Sequence, residues 1–133
     1  MKYSRVLLFS VSLYLLLVAL STIVTSIVGF DEIIQSTSYT FSHYAIESVT
    51  SFIVYCYLGY TQTVNPYKQA GLVATVYWFI NLCVGALLYI LLEIPIEPLV
   101  YFISALLHVL AVLLGTLLSI KLRYKIKLDV NAT

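Results

Sequence analysis

The sequence predicts an all-α membrane protein, a four-transmembrane-helix antiparallel bundle with both termini in the cytoplasm (N-in/C-in). Three observations predict it: the composition, the spacing of four apolar runs, and the placement of the basic residues. Of 133 residues, 62% are hydrophobic and 10% charged, far too little charge to cover a water-soluble surface. Each apolar run supplies the roughly twenty residues needed to cross about 30 Å of hydrocarbon at about 1.5 Å per residue.

The first span covers about 6–29 and gives way to a polar stretch, Asp31 to Ser38. The second covers about 40–60 and stops before Asn65-Pro66, where the residue ahead of proline is pushed out of the right-handed helical region. That turn is short, so the second and third spans are expected to be antiparallel neighbours. The third covers about 70–92 and is broken by Pro95 and Pro98. The fourth covers about 99–120 and leads into a basic tail, 121–133. A cleavable signal peptide competes for the N-terminus, because Lys2 and Arg5 precede an apolar run. A signal core of about 7–15 residues is shorter than this run, which favours an uncleaved span.

Orientation follows from charge. Lys2, Arg5, Lys68, Lys121, Arg123, Lys125 and Lys127 all fall in segments on one side of the proposed spans. The other two connections carry Asp31, Glu32, Glu93 and Glu97 and no basic residue. Basic residues accumulate on the cytoplasmic side, so the acidic connections face outward and the membrane is expected to be an inner or plasma membrane. The Lys121–Lys127 segment alternates basic and apolar residues, which suits anionic headgroups and is also the ordinary pattern of a stop-transfer flank. Twelve tyrosines fit two settings: the headgroup interface for those near span ends, such as Tyr39, Tyr60 and Tyr101, and bundle packing for those within spans, such as Tyr14, Tyr55 and Tyr77.

Polar groups inside the spans are the candidate site, since such residues usually face the bundle interior and pair there. His43, Glu47 and Ser51 recur every four residues and line one face of the second helix. Counting the helical rise, Asn81 and His108 fall about 16 Å from the inner boundary, Glu47 about 20 Å and Thr22 about 24 Å. With Thr25 these form a polar layer in the outer half. One expectation is a proton, cation or polar-solute site with Glu47 as titrating group and His108 or His43 as partner. The other is a purely structural layer in which His43 pairs with Glu47 and Asn81 with His108 or a hydroxyl.

Ser104, His108, Ala111, Gly115 and Ser119 form a stripe of mostly small residues along the fourth helix, and small residues permit close helix approach in lipid. The stripe is expected to mediate helix packing or assembly with further copies or a membrane partner. Beyond the lipid bilayer no other partner is implied, and nothing points to nucleic acid.

No cofactor or metal is expected. Cys56 and Cys83 differ in depth by about 14 Å, beyond the reach of a disulfide. His43 and His108 differ by about 9 Å, too far for two axial ligands of one haem iron. Phosphate-binding glycine loops, zinc-protease helices and serine elbows are also missing from the sequence, so an enzyme is disfavoured. The function read from the sequence is a small multi-pass subunit that oligomerises or joins a membrane complex to form an ion, proton or small-solute pathway. A sensor or assembly protein without transport is the alternative.

The charge division gives a topology test. With Cys56 and Cys83 replaced by alanine, a cysteine placed at Asp31 or Glu97 should react with an impermeant maleimide added to intact cells. One at Lys68 or Asn131 should stay unlabelled until the membrane is opened. Labelling of the Lys68 position in sealed cells would reverse the orientation.

Overall fold

The computed structural model describes residues 3–28, 37–62, 64–93 and 98–131. They form four helices: α1 Tyr3–Val28, α2 Thr37–Thr61, α3 Pro66–Leu92 and α4 Pro98–Asn131. Lys2, Asp31, Glu32, Pro95 and Glu97, on which part of the topology reading rests, lie outside the described residues.

Local chemistry accounts for the helix ends. Asn65 adopts a left-handed conformation (φ 50°, ψ 58°) ahead of Pro66 in the first turn of α3. Asparagine is among the few residues that tolerate that region, and proline loses no hydrogen bond at a helix start. At the other end Glu93 is also left-handed (φ 54°), and its N–H donates to the Tyr89 carbonyl at 3.1 Å. α4 continues as helix past Ile120, where the sequence places the end of the span, to Asn131 without a break. After Gly115 it contains no glycine or proline, so charge marks a change of surroundings there and not a change of backbone.

Three helices are long and apolar enough to cross a membrane: Tyr3–Ile27, Pro66–Leu92 and Pro98–Ile126. α2 is of similar length, 25 residues, but it carries His43, Glu47 and many hydroxyls and lies outside that set. The distribution of side chains is inverted relative to a water-soluble bundle. Glu47, Ser51, His108, Thr116 and Ser119 are buried, whereas Leu8, Ile23, Phe79, Ile90, Phe102 and Leu114 are exposed. Soluble monomers rarely expose apolar surface on this scale, so the arrangement is compatible with a bilayer around it.

The α2–α4 contact is the most extensive in the bundle, followed by α1–α3. Along the first, Tyr44 meets Val100, Glu47 meets Ser104, Ser51 meets His108 and Gln62 meets Arg123. Between α1 and α3 the Ser10 hydroxyl lies 3.0 Å from the Val73 carbonyl as well as 2.8 Å from that of Val6, and Tyr14 packs near Tyr77. Residue numbers rise together in both pairs. They run oppositely between α1 and α2, where Ser21 meets His43 and Phe9 meets Tyr57.

The small-residue stripe of α4 is engaged within the chain, in the helix-packing role that is one of its two expected uses. Ala111, Gly115 and Ser119 are buried. A Cβ on Gly115 would stand 2.8 Å from the Phe52 carbonyl oxygen, 3.0 Å from Tyr55 Cβ and 3.2 Å from the Cys56 nitrogen. One on Gly59 would collide with the Ser119 hydroxyl. The short side chains are needed because the α2 backbone fills the space a larger residue would take.

Gly115→Ala should therefore lower stability by about 1–3 kcal/mol, the usual range for overpacking, because the obstructing atoms belong to backbone. Gly71→Ala, with nothing within 4 Å of its added carbon, should leave stability unchanged or slightly higher. Reversible unfolding in mixed detergent reads both. Equal effects at the two positions would remove the close-packing account of the α2–α4 contact.

Candidate functional site

The polar layer expected from sequence divides into two sites. The first is a partly open cavity of about 360 Å³ in the half of the bundle toward the C-terminal end of α1 and the N-terminal ends of α2 and α4. All four helices line it: Tyr14, Ser21 and Thr22 from α1, His43, Tyr44 and Glu47 from α2, Tyr77 and Asn81 from α3, and Tyr101 and Ser104 from α4. Its apolar wall comes from Leu17, Val18 and Val100.

Glu47 is held between α3 and α4. It is 7% exposed, and the Ser104 hydroxyl shares its proton between the two carboxylate oxygens, each at 2.7 Å. The Tyr77 hydroxyl donates a longer bond, 3.5 Å, to Oε1. A buried carboxylate retains several lone pairs that need donors, and here they come from hydroxyl groups of two neighbouring helices. Among the described residues no lysine or arginine lines the cavity. Arg5, Lys68, Lys121, Arg123 and Lys125 lie toward the opposite ends of their helices.

His43 directs Nδ1 to the Ser21 hydroxyl at 3.2 Å, so one turn of α2 presents a carboxylate to α3 and α4 and an imidazole to α1. Thr22 bonds back to the Val18 carbonyl at 2.8 Å, leaving its oxygen at the cavity margin. Asn81 is half-buried in the cavity wall, and Thr25 lies half-buried one turn beyond it on α1, outside the lining.

The second site is a closed cage around His108, which is 1% exposed. Tyr55 OH pairs with Nε2 at 2.9 Å, and Ser51 Oγ with Nδ1 at 3.3 Å. A neutral imidazole has one donor and one acceptor nitrogen, and a hydroxyl can play either part, so both nitrogens are satisfied in either tautomer. The Tyr77 ring stacks on the imidazole at 4.6 Å and 7°, while Tyr55 and Trp78 approach it edge-on at 5.4 Å and 6.1 Å.

The structure thus brings Glu47, His43, Asn81 and Thr22 to one cavity and separates His108 from them. Of the two partners anticipated for Asn81, His108 is engaged elsewhere, its nitrogens going to Ser51 and Tyr55, which leaves a hydroxyl. The structure also gives Glu47 hydrogen-bond donors from two other helices, Ser104 on α4 and Tyr77 on α3. Tyr14, Tyr55 and Tyr77, which the sequence assigns to bundle packing, line the two sites. Tyr77 joins the two sites, because its hydroxyl reaches Glu47 and its ring covers His108. Its position within a span was the available signal. Cys56 and Cys83 are both free thiols, and among the described residues no group of three or more His, Cys, Asp or Glu could hold a metal ion.

No protein-family model, curated protein or solved structure matches the chain.

The cage makes a quantitative prediction. Interhelical hydrogen bonds in membranes contribute about 0.6–2 kcal/mol each, so Tyr55→Phe should cost about 1 kcal/mol and His108→Phe about 2. The double variant should cost less than the sum, since each single change leaves the other group unpaired. Strictly additive losses in reversible SDS unfolding would mean that the two side chains are not coupled.

Proposed function

We propose that this chain is a four-span membrane protein, with both ends cytoplasmic, that binds a small cationic or polar solute in a cavity in its outer half. The observation that carries the reading is the Glu47 carboxylate, buried in the wall of a cavity of about 360 Å³ that, among the described residues, no lysine or arginine lines. An ionisable side chain at membrane depth is expensive and marks a solute or proton path more often than a structural element.

The proposed topology draws support from the order of the helix contacts, which fits an up-down-up-down arrangement, and from the basic residues gathering at one end of it. α2 crosses as the fourth span because its polar face is turned inward. Its 25 residues span about 37 Å, and Glu47, Ser51, Tyr55 and Leu58 are buried while Val49, Ile53 and Tyr57 face outward. Assembly with further copies or a membrane partner would use such outward apolar faces, since the α4 stripe already packs on α2.

A specific observation also favours a binding or sensing role over an open channel through one chain. Below the cavity, Tyr55, Tyr77 and Trp78 enclose His108, and α2 meets α4 at Gly115 and Gly59. A solute in the cavity meets a packed layer. Passage would require that layer to rearrange or a partner to complete the path.

Infrared difference spectroscopy on the reconstituted protein tests the role of Glu47 directly. Exchange of buffer pH and of monovalent inorganic and organic cations should perturb a carboxyl band that Glu47→Gln removes, with folding retained because the amide preserves shape. No Glu47-dependent band under any exchange would reduce Glu47 to a structural residue.

A further inference from the structure

We propose that the cavity is built for a small organic ammonium ion, held by Glu47 as counter-charge and by tyrosine rings around it. The inference rests on the solute-binding reading above and names the class of solute. Four tyrosines, Tyr14, Tyr44, Tyr77 and Tyr101, line the cavity, and among the described residues Glu47 is the one carboxylate that does. They come one from each helix, so the aromatic surface surrounds the space instead of covering one wall.

This lining suits an organic cation better than a metal ion. Calcium takes about six to eight oxygen ligands, and magnesium requires a near-octahedral set. Here a single carboxylate already accepts from Ser104 and Tyr77, and no acidic or histidine cluster of metal-binding size occurs among the described residues. An alkylammonium ion needs no close array of oxygens. It disperses its charge over its carbon substituents, gains from the negative faces of aromatic rings, and requires one nearby anion. The volume, about 360 Å³, lies near the lower end of the about 300–1,000 Å³ of small-molecule sites, which limits the ligand to a compact cation.

Two further contacts support a receptor for such an ion. Tyr77 is fixed by parallel stacking on buried His108, so its ring is positioned before a ligand arrives. The Tyr101 hydroxyl approaches α3 where residue 85 is glycine, and a Cβ there would stand 2.6 Å from it, so the absent side chain gives this ring a fixed seat against α3. Preorganised rings lose less conformational freedom on binding.

The test uses choline and its uncharged carbon isostere, 3,3-dimethylbutan-1-ol, with the wild-type protein in nanodiscs at constant ionic strength and pH. Trp78, the chain's single tryptophan, lies edge-on to Tyr77 at 6.1 Å and reports occupancy through its emission, with titration calorimetry in parallel. Choline should bind saturably and at least about tenfold more tightly than the isostere. Sodium and potassium should produce no saturable signal. Glu47→Gln should remove the preference for the charged ligand, and Tyr101→Leu should weaken choline several-fold while leaving the isostere nearly unchanged.

Equal affinities for choline and the isostere in the wild type would overturn the proposal even if the variants failed to fold. Saturable sodium, potassium or proton binding, with a Glu47-dependent infrared response and none for choline, would overturn the ammonium class and leave solute binding standing. Absence of both heat and emission change with choline, together with no Glu47-dependent band for any solute, would overturn both.

Discussion

Between α2 and α4 the backbones come so close that one methyl group on Gly115 would press on the Phe52 carbonyl, and this proximity sets the position of the buried polar groups along that contact. Ser104 and His108 stand two turns and one turn before Ala111 on the same face of α4. They reach Glu47, Ser51 and Tyr55 because the small residues beyond them draw the helices together. Lipid tails are as apolar as leucine, so no hydrophobic force joins two helices inside a bilayer. Packing and interhelical hydrogen bonds must do so. The short residues allow the contact, and the hydroxyl, imidazole and carboxylate groups then fix its register.

Much of this arrangement is legible in one dimension. Apolar run lengths give the helices to within about four residues except at the C-terminal end of α4, and a four-residue repeat puts His43, Glu47 and Ser51 on one face of α2. Spacing along the chain also gives depth, but it does not give rotation about the helix axis. For that reason Asn81 and His108, at similar depth, appear matched in sequence and separate in space. The same limit applies to the α4 stripe, where small residues announce a close neighbour without saying which helix it is. The helical course of 121–131 is obscured for another reason, because the shift from apolar to basic residues marks where the bilayer would end and carries little information about the backbone.

Tyrosine serves two purposes in this bundle, and both follow from its combining a large apolar ring with one hydroxyl. Around His108, Tyr55 contributes a hydrogen bond and Tyr77 a stacked face, so a polar group is sealed in an otherwise apolar interior. In the neighbouring cavity, tyrosines from all four helices leave room between them. Tyr77 belongs to both settings, with its ring against His108 and its hydroxyl toward Glu47. Closed packing on one side therefore holds a wall of the open space on the other.

At the far end of the same contact, Arg123 donates from Nη1 to the Gln62 carbonyl at 2.8 Å, placing a guanidinium against the carbonyl end of α2, where the helix dipole favours positive charge. From Ser104 to Asn131, α4 is one uninterrupted helix, about 40 Å long at the usual rise. Along that rod the serine that grips Glu47 and the arginine that holds the end of α2 stand on opposite sides of the glycine crossing at residue 115. One straight element therefore joins the lining of the cavity to the beginning of the basic tail, with no break in the helix between them.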